Sequence, residues 1–311
     1  MRVVLVTGMS GSGKSIALHV LEDAGYAVVD NLPARFLADL IVDLEKRGIK
    51  RAAVSIDVRA GVEAVTALPD LLPVLRDRGH GVQLLFLTAD TATLVQRYSE
   101  TRRRHPLSIT GWATEAPAGA PGLAENIEKE RRLLDPLEGL GHLIDTSRLP
   151  AQALRQWVRD FIGSERAALT LSFESFAYKQ GVPADADLVF DVRCLPNPFY
   201  EPELKLLTGL DQPVIDYLET VPKVGRMVDD IENFVTRWLP AYAADSRSYL
   251  TVAIGCTGGQ HRSVYCVEAL ARRLQSVHPV LVRHRALAWM MARAPAPAPA
   301  LAPNPASPAA T

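Results

Sequence analysis

Three cysteines in 311 residues, Cys194, Cys256 and Cys266, are too few and too unpatterned for a disulfide framework or a zinc site. Long apolar runs are also missing: none approaches the roughly 18 residues of a membrane span. The short apolar start, Val3 to Val6, is interrupted by Gly8 and a polar loop where a secretory signal would continue. Charge of one sign is absent too. The 34 Lys and Arg nearly cancel the 35 Asp and Glu, so the formal charge of -1 argues neither for nor against a polyanionic partner. These absences point to a cytoplasmic globular protein without a membrane partner, whose ligands must be read from local motifs. At this length two domains are expected, each able to bury a core.

What the chain does have stands at its start. Residues 8–15 read Gly-Met-Ser-Gly-Ser-Gly-Lys-Ser, a GxxxxGK[ST] loop between the apolar run Val3-Val4-Leu5-Val6 and a helical pattern beginning at Ile16. In such a loop Gly8, Met9, Ser10, Gly11, Ser12 and Gly13 turn backbone N–H groups around an anion, aided by the helix N-terminus. Lys14 then reaches the β and γ phosphates of ATP or GTP, and Ser15 offers its hydroxyl to the Mg²⁺ carried by the nucleotide. Lys14 and Ser15 are therefore the candidate catalytic pair.

Short β-branched or leucine-rich runs alternate with amphipathic stretches, the pattern of a parallel sheet wrapped by helices. Strands are expected at 2–7, 26–30, 51–57, 82–88 and 142–146, with helices at 14–24, 33–47, 61–78, 90–103, 123–137 and 150–162. A second series has strands at 169–173, 187–192 and 249–255 and helices at 203–208, 211–220, 225–242 and 262–275. The expected fold is thus α/β: a P-loop, nucleoside-kinase-like domain over 1–154, a smaller α/β domain over 155–292, and an Ala/Pro tail over 293–311 that cannot build a core. Between Pro106 and Pro121 periodicity fails, as in a functional or disordered loop. Arg97, Arg102, Arg103 and Arg104 lead into it, either as lid arginines or as a solvated helix end. Asp30, Asp57 and Asp90 close strands, where they either face a ligand crevice or cap the next helix.

The densest feature of the second half is Gly255-Cys256-Thr257-Gly258-Gly259-Gln260-His261-Arg262-Ser263, again between a strand and a helix. Glycines, Arg262 and the donors Thr257, His261 and Ser263 make it a second anion nest. Its CxxGxxRS pattern also matches cysteine-dependent phosphatases, though Gly255 stands where those have His and no separate Asp acid is assignable. From Ser246 to Arg293 seven arginines face one acid, Glu268. Arg272, Arg273, Arg283 and Arg285 could form a basic face for an RNA backbone, or a solvated surface; stacking aromatics there are few.

GMSGSGKS at 8–15, VVDNLP at 28–33, SIDVR at 55–59, YSETRRRHPL at 98–107, DADLVFDVRCLPNP at 185–198 and YLTVAIGCTGGQHRSVY at 249–265 together resemble the RapZ/YvcJ family over about residues 1–285. The resemblance implies a bacterial cytoplasmic protein that binds and slowly hydrolyses ATP and GTP, with a GTP-contacting segment falling on Asp57, Val58, Arg59 and Ala60. It also implies a second domain that senses glucosamine-6-phosphate through Thr257, Gly258, His261 and Arg262. Homo-oligomers that present small regulatory RNA to an endoribonuclease are implied as well. The chain departs from that pattern where enterobacterial members carry a lysine-rich C-terminus: Ala286 to Met291 is neutral and apolar here. An Ala/Pro insertion after Leu107 is a second departure. Two rival readings from the residues alone are a small-molecule kinase and a phosphatase acting through Cys256.

Overall fold

The computed structural model describes residues 1–108, 121–163, 169–244 and 249–293. Five strands, β1 (Arg2–Gly8), β2 (Ala27–Val29), β3 (Arg51–Ser55), β4 (Gly81–Thr88) and β5 (His142–Asp145), form a parallel sheet in the order β2-β3-β1-β4-β5. Parallel pairing buries both faces, so β1 is a continuous apolar run rather than an alternating one. Helices α1 (Lys14–Asp23), α2 (Leu37–Lys46), α3 (Val62–Thr66), α4 (Leu68–Asp77), α5 (Thr91–Thr101), α6 (Leu123–Glu138) and α7 (Ala151–Gly163) make the crossovers. They divide the core in two: Leu5, Val54 and Phe86 pack on one face, Val4, Val6 and Leu85 on the other.

A single helix over 61–78 does not form; the chain breaks into α3 and α4 at Ala67. Pro69, near the start of α4, has no N–H to continue the ladder and is tolerated only in a first turn. The boundary expected at 154/155 also moves. Leu154, Trp157, Val158 and Phe161 recur at helical spacing along α7 and pack with α1 residues in the N-terminal core, so the division falls beyond Gly163.

The second sheet is also all parallel: β6 (Thr170–Ala177), β7 (Leu188–Asp191), β8 (Tyr249–Cys256) and β9 (Val280–His284) lie in the order β7-β8-β6-β9. Helices α8 (Gln212–Glu219), α9 (Pro222–Ala244), α10 (Arg262–Leu274) and α11 (Arg285–Arg293) accompany it. In α9, Val224, Val228, Ile231, Val235 and Leu239 form one buried stripe over this core. The helix expected at 203–208 is instead a run of turns, and β9 and α11 form in a stretch for which no element was expected. The 109–120 insertion and the Ala/Pro tail beyond Arg293 lie outside the described residues.

Period-2 alternation puts Leu171 and Phe173 of β6 into the second core, while Glu174 of the same strand meets the N-terminal domain through a bridge. Arg285 Nη1 lies 3.1 Å from Glu174 Oε1 and 3.7 Å from Asp185 Oδ1, and its Nη2 donates to the Ser147 carbonyl at 3.1 Å and lies 3.4 Å from Asp145 Oδ2. The Asp145 N–H donates to Asp185 Oδ2 at 2.9 Å. Nearby, Arg283 is 2% exposed, pairs with His142 Nε2 at 2.7 Å and stacks over Trp157. Buried charge thus spans the domain junction.

Candidate functional site

Three glycines of the first loop adopt left-handed φ: Gly8 at 123°, Gly11 at 86° and Gly13 at 107°. At Gly8 a side chain would also run into the backbone of Leu87, so only glycine lets β1 turn into the loop there. Lys14 folds back over this turn, its Nζ donating to the carbonyls of Gly8 at 2.7 Å and Met9 at 3.1 Å and lying 3.5 Å from Asp57 Oδ2. Burial lowers its pKa, against the opposing pull of Asp57 and Glu130. Ser15 lines the cavity in front of the loop.

Asp57 closes β3 and is fully buried. Its carboxylate accepts from the Arg59 backbone N–H at 2.9 Å and from the Arg59 guanidinium at 2.7–3.1 Å, while Arg59 also lies 3.6 Å from Asp30. Burial pushes the Asp57 carboxyl up, but Arg59 and Lys14 outweigh it and hold it below its ordinary value. Val58 and Ala60 complete that short turn without reaching the cavity lining. The cavity, of about 310 Å³, is walled by Ser10, Lys14, Asp57, Arg59, Arg103 and Arg104 among others.

Arg97 is a strut rather than a lid arginine. It donates to the Gly11 carbonyl at 3.0 Å and to the Thr146 hydroxyl and carbonyl at 3.0 and 2.7 Å, while the Thr146 hydroxyl donates to the Ser12 carbonyl at 2.9 Å. Asp90 is a helix cap, accepting from Thr93 N–H at 2.6 Å. Sequence reasoning passed over Glu130. From mid α6 its buried carboxylate accepts the Ser10 N–H at 3.1 Å and hydroxyl at 2.7 Å and meets His105 Nε2 at 3.0 Å. The signal was a lone acid on the apolar side of a helix beside Asn126 and Ile127, which periodicity alone does not separate from a surface charge. No cluster of three or more His, Cys, Asp or Glu able to hold a metal exists among the described residues.

The second loop ends β8 and opens α10. Gly255 lies against the rings of Phe176 and Tyr178, where a side chain would overlap both, and Gly259 is left-handed and packed on Ala177. Thr257 is exposed and Gly258 half-buried, whereas His261 and Arg262 are buried; His261 Nε2 meets the Leu204 carbonyl at 3.1 Å. Burial lowers the His261 pKa, so the ring is neutral near pH 7. Arg262 reaches the carbonyls of Arg193 and Leu195, both at 3.0 Å. Beside it, Asp191 and Arg193 repeat the Asp57–Arg59 pairing, with contacts of 2.6–3.0 Å, and Arg193 covers the Tyr178 ring. The repeat was written twice in the sequence, as Asp-Val-Arg at 57–59 and at 191–193.

The expected basic face is corrected by the structure. Arg283 and Arg285 are turned into the domain junction, where desolvation and Glu174, Asp185 and Asp145 claim them. Arg273 pairs with Asp229 at 2.8 Å and Glu232 at 2.7 Å, and it and Arg272 are both exposed on the last turn of α10, away from Arg283 and Arg285. Counting charge along the chain could not reveal which side chains another domain covers.

A glycine loop at the C-terminal edge of a central parallel strand, with a lysine folded across it and a second parallel domain behind, defines a P-loop nucleotide-binding protein of two α/β domains. The chain belongs to the RapZ-like family, matching its N-terminal domain over residues 1–166 and the RapZ C-terminal domain over 169–288. A nucleotide-binding protein of Azoarcus sp. (strain BH72) is 55% identical over 95% of this chain and 98% of its own. One from Bordetella pertussis is 56% identical over 92% of this chain and 97% of its own. Among solved structures, an unliganded sugar kinase from Janibacter sp. HTCC2649 covers 52% of this chain and 95% of its own at 18% identity and TM-score 0.36. A gluconokinase from Sinorhizobium meliloti covers 50% and 89% at 15% and 0.31. No helix among the described residues is long and apolar enough to cross a membrane.

Proposed function

We propose that this protein is a nucleotide-responsive regulator. Its first domain binds ATP or GTP with Mg²⁺ at Gly8–Ser15 and hydrolyses it slowly; its second holds a phosphosugar such as glucosamine-6-phosphate at Thr257, Gly258, His261 and Arg262. The observation that carries this reading is the step Asp145-Thr146. Thr146 bonds the nucleotide loop through Ser12 and Arg97, and Asp145 next to it bonds Asp185 and Arg285 of the other domain. A nucleotide that draws Lys14 or Gly11 forward therefore pulls on the element that seats the second domain. Such coupling requires a ligand with different affinity for the two placements.

The slow turnover follows from the loop. Lys14 is held by two carbonyls and Asp57 by Arg59, so Asp57 is not free to activate water. For RNA, Arg272 is the arginine of the expected four that supports a phosphate contact; assembly into homo-oligomers acting with an endoribonuclease in the cytoplasm rests on the family resemblance. The test is calorimetric titration of glucosamine-6-phosphate with and without a non-hydrolysable nucleotide. Different affinities are expected, and equal affinities sink the coupling. A small-molecule kinase is the rival reading, favoured by the strand order β2-β3-β1-β4-β5; NTP turnover that rises steeply only with an acceptor sugar would establish it instead.

A further inference from the structure

The loop from Cys256 to Ser263 contains more than an anion nest requires. A nest needs backbone N–H groups and a cation. Here the loop also begins with a buried thiol, Cys256. Cys256, the last residue of β8, has its Sγ 3.1 Å from Ser263 Oγ near the start of α10, and that sulfur accepts the Gly259 N–H at 3.2 Å. Cys266, in the second turn of α10, is a core side chain whose thiol burial pushes up to about 12.

Arg262 supplies an independent observation. The residue is 4% exposed, and its Nη1 is committed to the carbonyls of Arg193 and Leu195. Its Nη2 lies 3.5 Å from Thr257 Oγ1, so that edge of the guanidinium faces the loop, and the adjacent Nε is buried with no hydrogen-bond partner. A buried donor left unmade costs free energy until something accepts it. The Nε and Nη2 edge is the one that grips two oxygens of a tetrahedral anion.

We propose that Cys256 is the nucleophile of a phosphoryl-transfer centre in this loop, acting on phosphoryl donors whose leaving group departs as an anion, aryl or acyl phosphates. The proposal rests on the reading of this loop as a phosphate site. The thiolate attacks phosphorus, the S–P bond forms and the P–O bond to the leaving group breaks, with the phosphoryl oxygens held by loop N–H groups and Arg262. Water then attacks phosphorus; the S–P bond breaks, Cys256 regains its thiolate, and orthophosphate and a proton are released. Ser263 O–H steadies the departing sulfur.

The restriction on leaving groups follows from the surroundings. Asp191, a carboxylate on the Arg262 side of the loop, is gripped by Arg193, which holds it below its ordinary value, so it carries no proton to give near pH 7. A sugar phosphate would have to leave as an alkoxide and is therefore bound without being cleaved. One loop then serves as a sensor toward alkyl phosphates and as an enzyme toward activated ones.

The experiment uses the full chain with p-nitrophenyl phosphate in EDTA, which removes the Mg²⁺ that hydrolysis at Lys14 requires. Nitrophenolate release is expected, inhibited competitively by glucosamine-6-phosphate, with a phosphoryl adduct on the Cys256 peptide after acid quench. Cys256→Ala should abolish release while still binding tungstate, and Cys194→Ser should leave the rate unchanged. Ser263→Ala, with tungstate binding retained, should slow release roughly tenfold, as loss of a hydrogen bond to a charged group does. Release that survives Cys256→Ala, or its absence in a wild-type protein that binds tungstate, overturns the nucleophile. Failure of the wild type to bind tungstate or glucosamine-6-phosphate would instead remove the phosphate site on which the proposal stands.

Discussion

Replacing Arg285 by alanine should unfold the domain junction before it affects any ligand. The side chain is 12% exposed and faces three carboxylates, two of which, Glu174 and Asp185, are fully buried. Removing one partner of a buried ion pair costs about 3–5 kcal/mol, because the remaining charge keeps its desolvation penalty and loses its compensation. Here the low end applies. Burial, reinforced by Asp185, already pushes the Glu174 carboxyl up to about 8, so the variant strands less charge than three fully ionised carboxylates would. About 3 kcal/mol, with a urea slope of roughly 1–3 kcal/mol/M, lowers the unfolding midpoint by about 1–3 M. Glu174→Gln combined with Asp185→Asn in the Arg285→Ala background should recover part of the loss, since both substitutions remove acids that would be left unpaired. Denaturation followed by tryptophan fluorescence in a variant that keeps Trp157, beneath Arg283, and replaces the other three tryptophans reads the junction. An unchanged midpoint, together with RNA retention lost in a salt-dependent manner, would refute the burial argument and return Arg285 to the surface.

Two further outcomes follow from the same contacts. Glu174 has a folded pKa of about 8, above its unfolded value near 4.5, so its contribution to stability is fully present below pH 4.5 and lost as pH rises toward 8. Relative to wild type, Glu174→Gln should therefore gain about 1.4 kcal/mol per pH unit across that window, measured as the difference between urea titrations at successive pH values; a constant difference would contradict it. Glu130→Gln should weaken nucleotide binding roughly tenfold or more while leaving phosphosugar binding intact, since it removes the charged acceptor of the Ser10 N–H and hydroxyl at about 1.5–3 kcal/mol. Titration with a fluorescent nucleotide checks it, and unaltered affinity would mean that Glu130 merely fills the core.

The legible parts of this protein were those written contiguously. The loop at 8–15, the loop at 256–263 and most strands followed from glycine placement and β-branched runs, because each is completed within about ten residues of chain. Helix 61–78 was misread at Pro69, a local breaker given too little weight. β9 and α11 were missed because a five-residue strand and a nine-residue helix carry too little periodicity to stand out.

The sequence by itself determined that two glycine-containing loops would each join a parallel strand to a helix, since such turns and helix starts need only the right residues in the right order. Tertiary structure decided what surrounds them. It brought Glu130 across some 120 residues to Ser10, made Arg97 a strut, and turned Arg283 and Arg285 inward. A charge has the same letter on a wet surface and in a sealed junction. Only the surface that covers it sets whether it recruits a partner or holds two domains together, and that surface comes from distant chain.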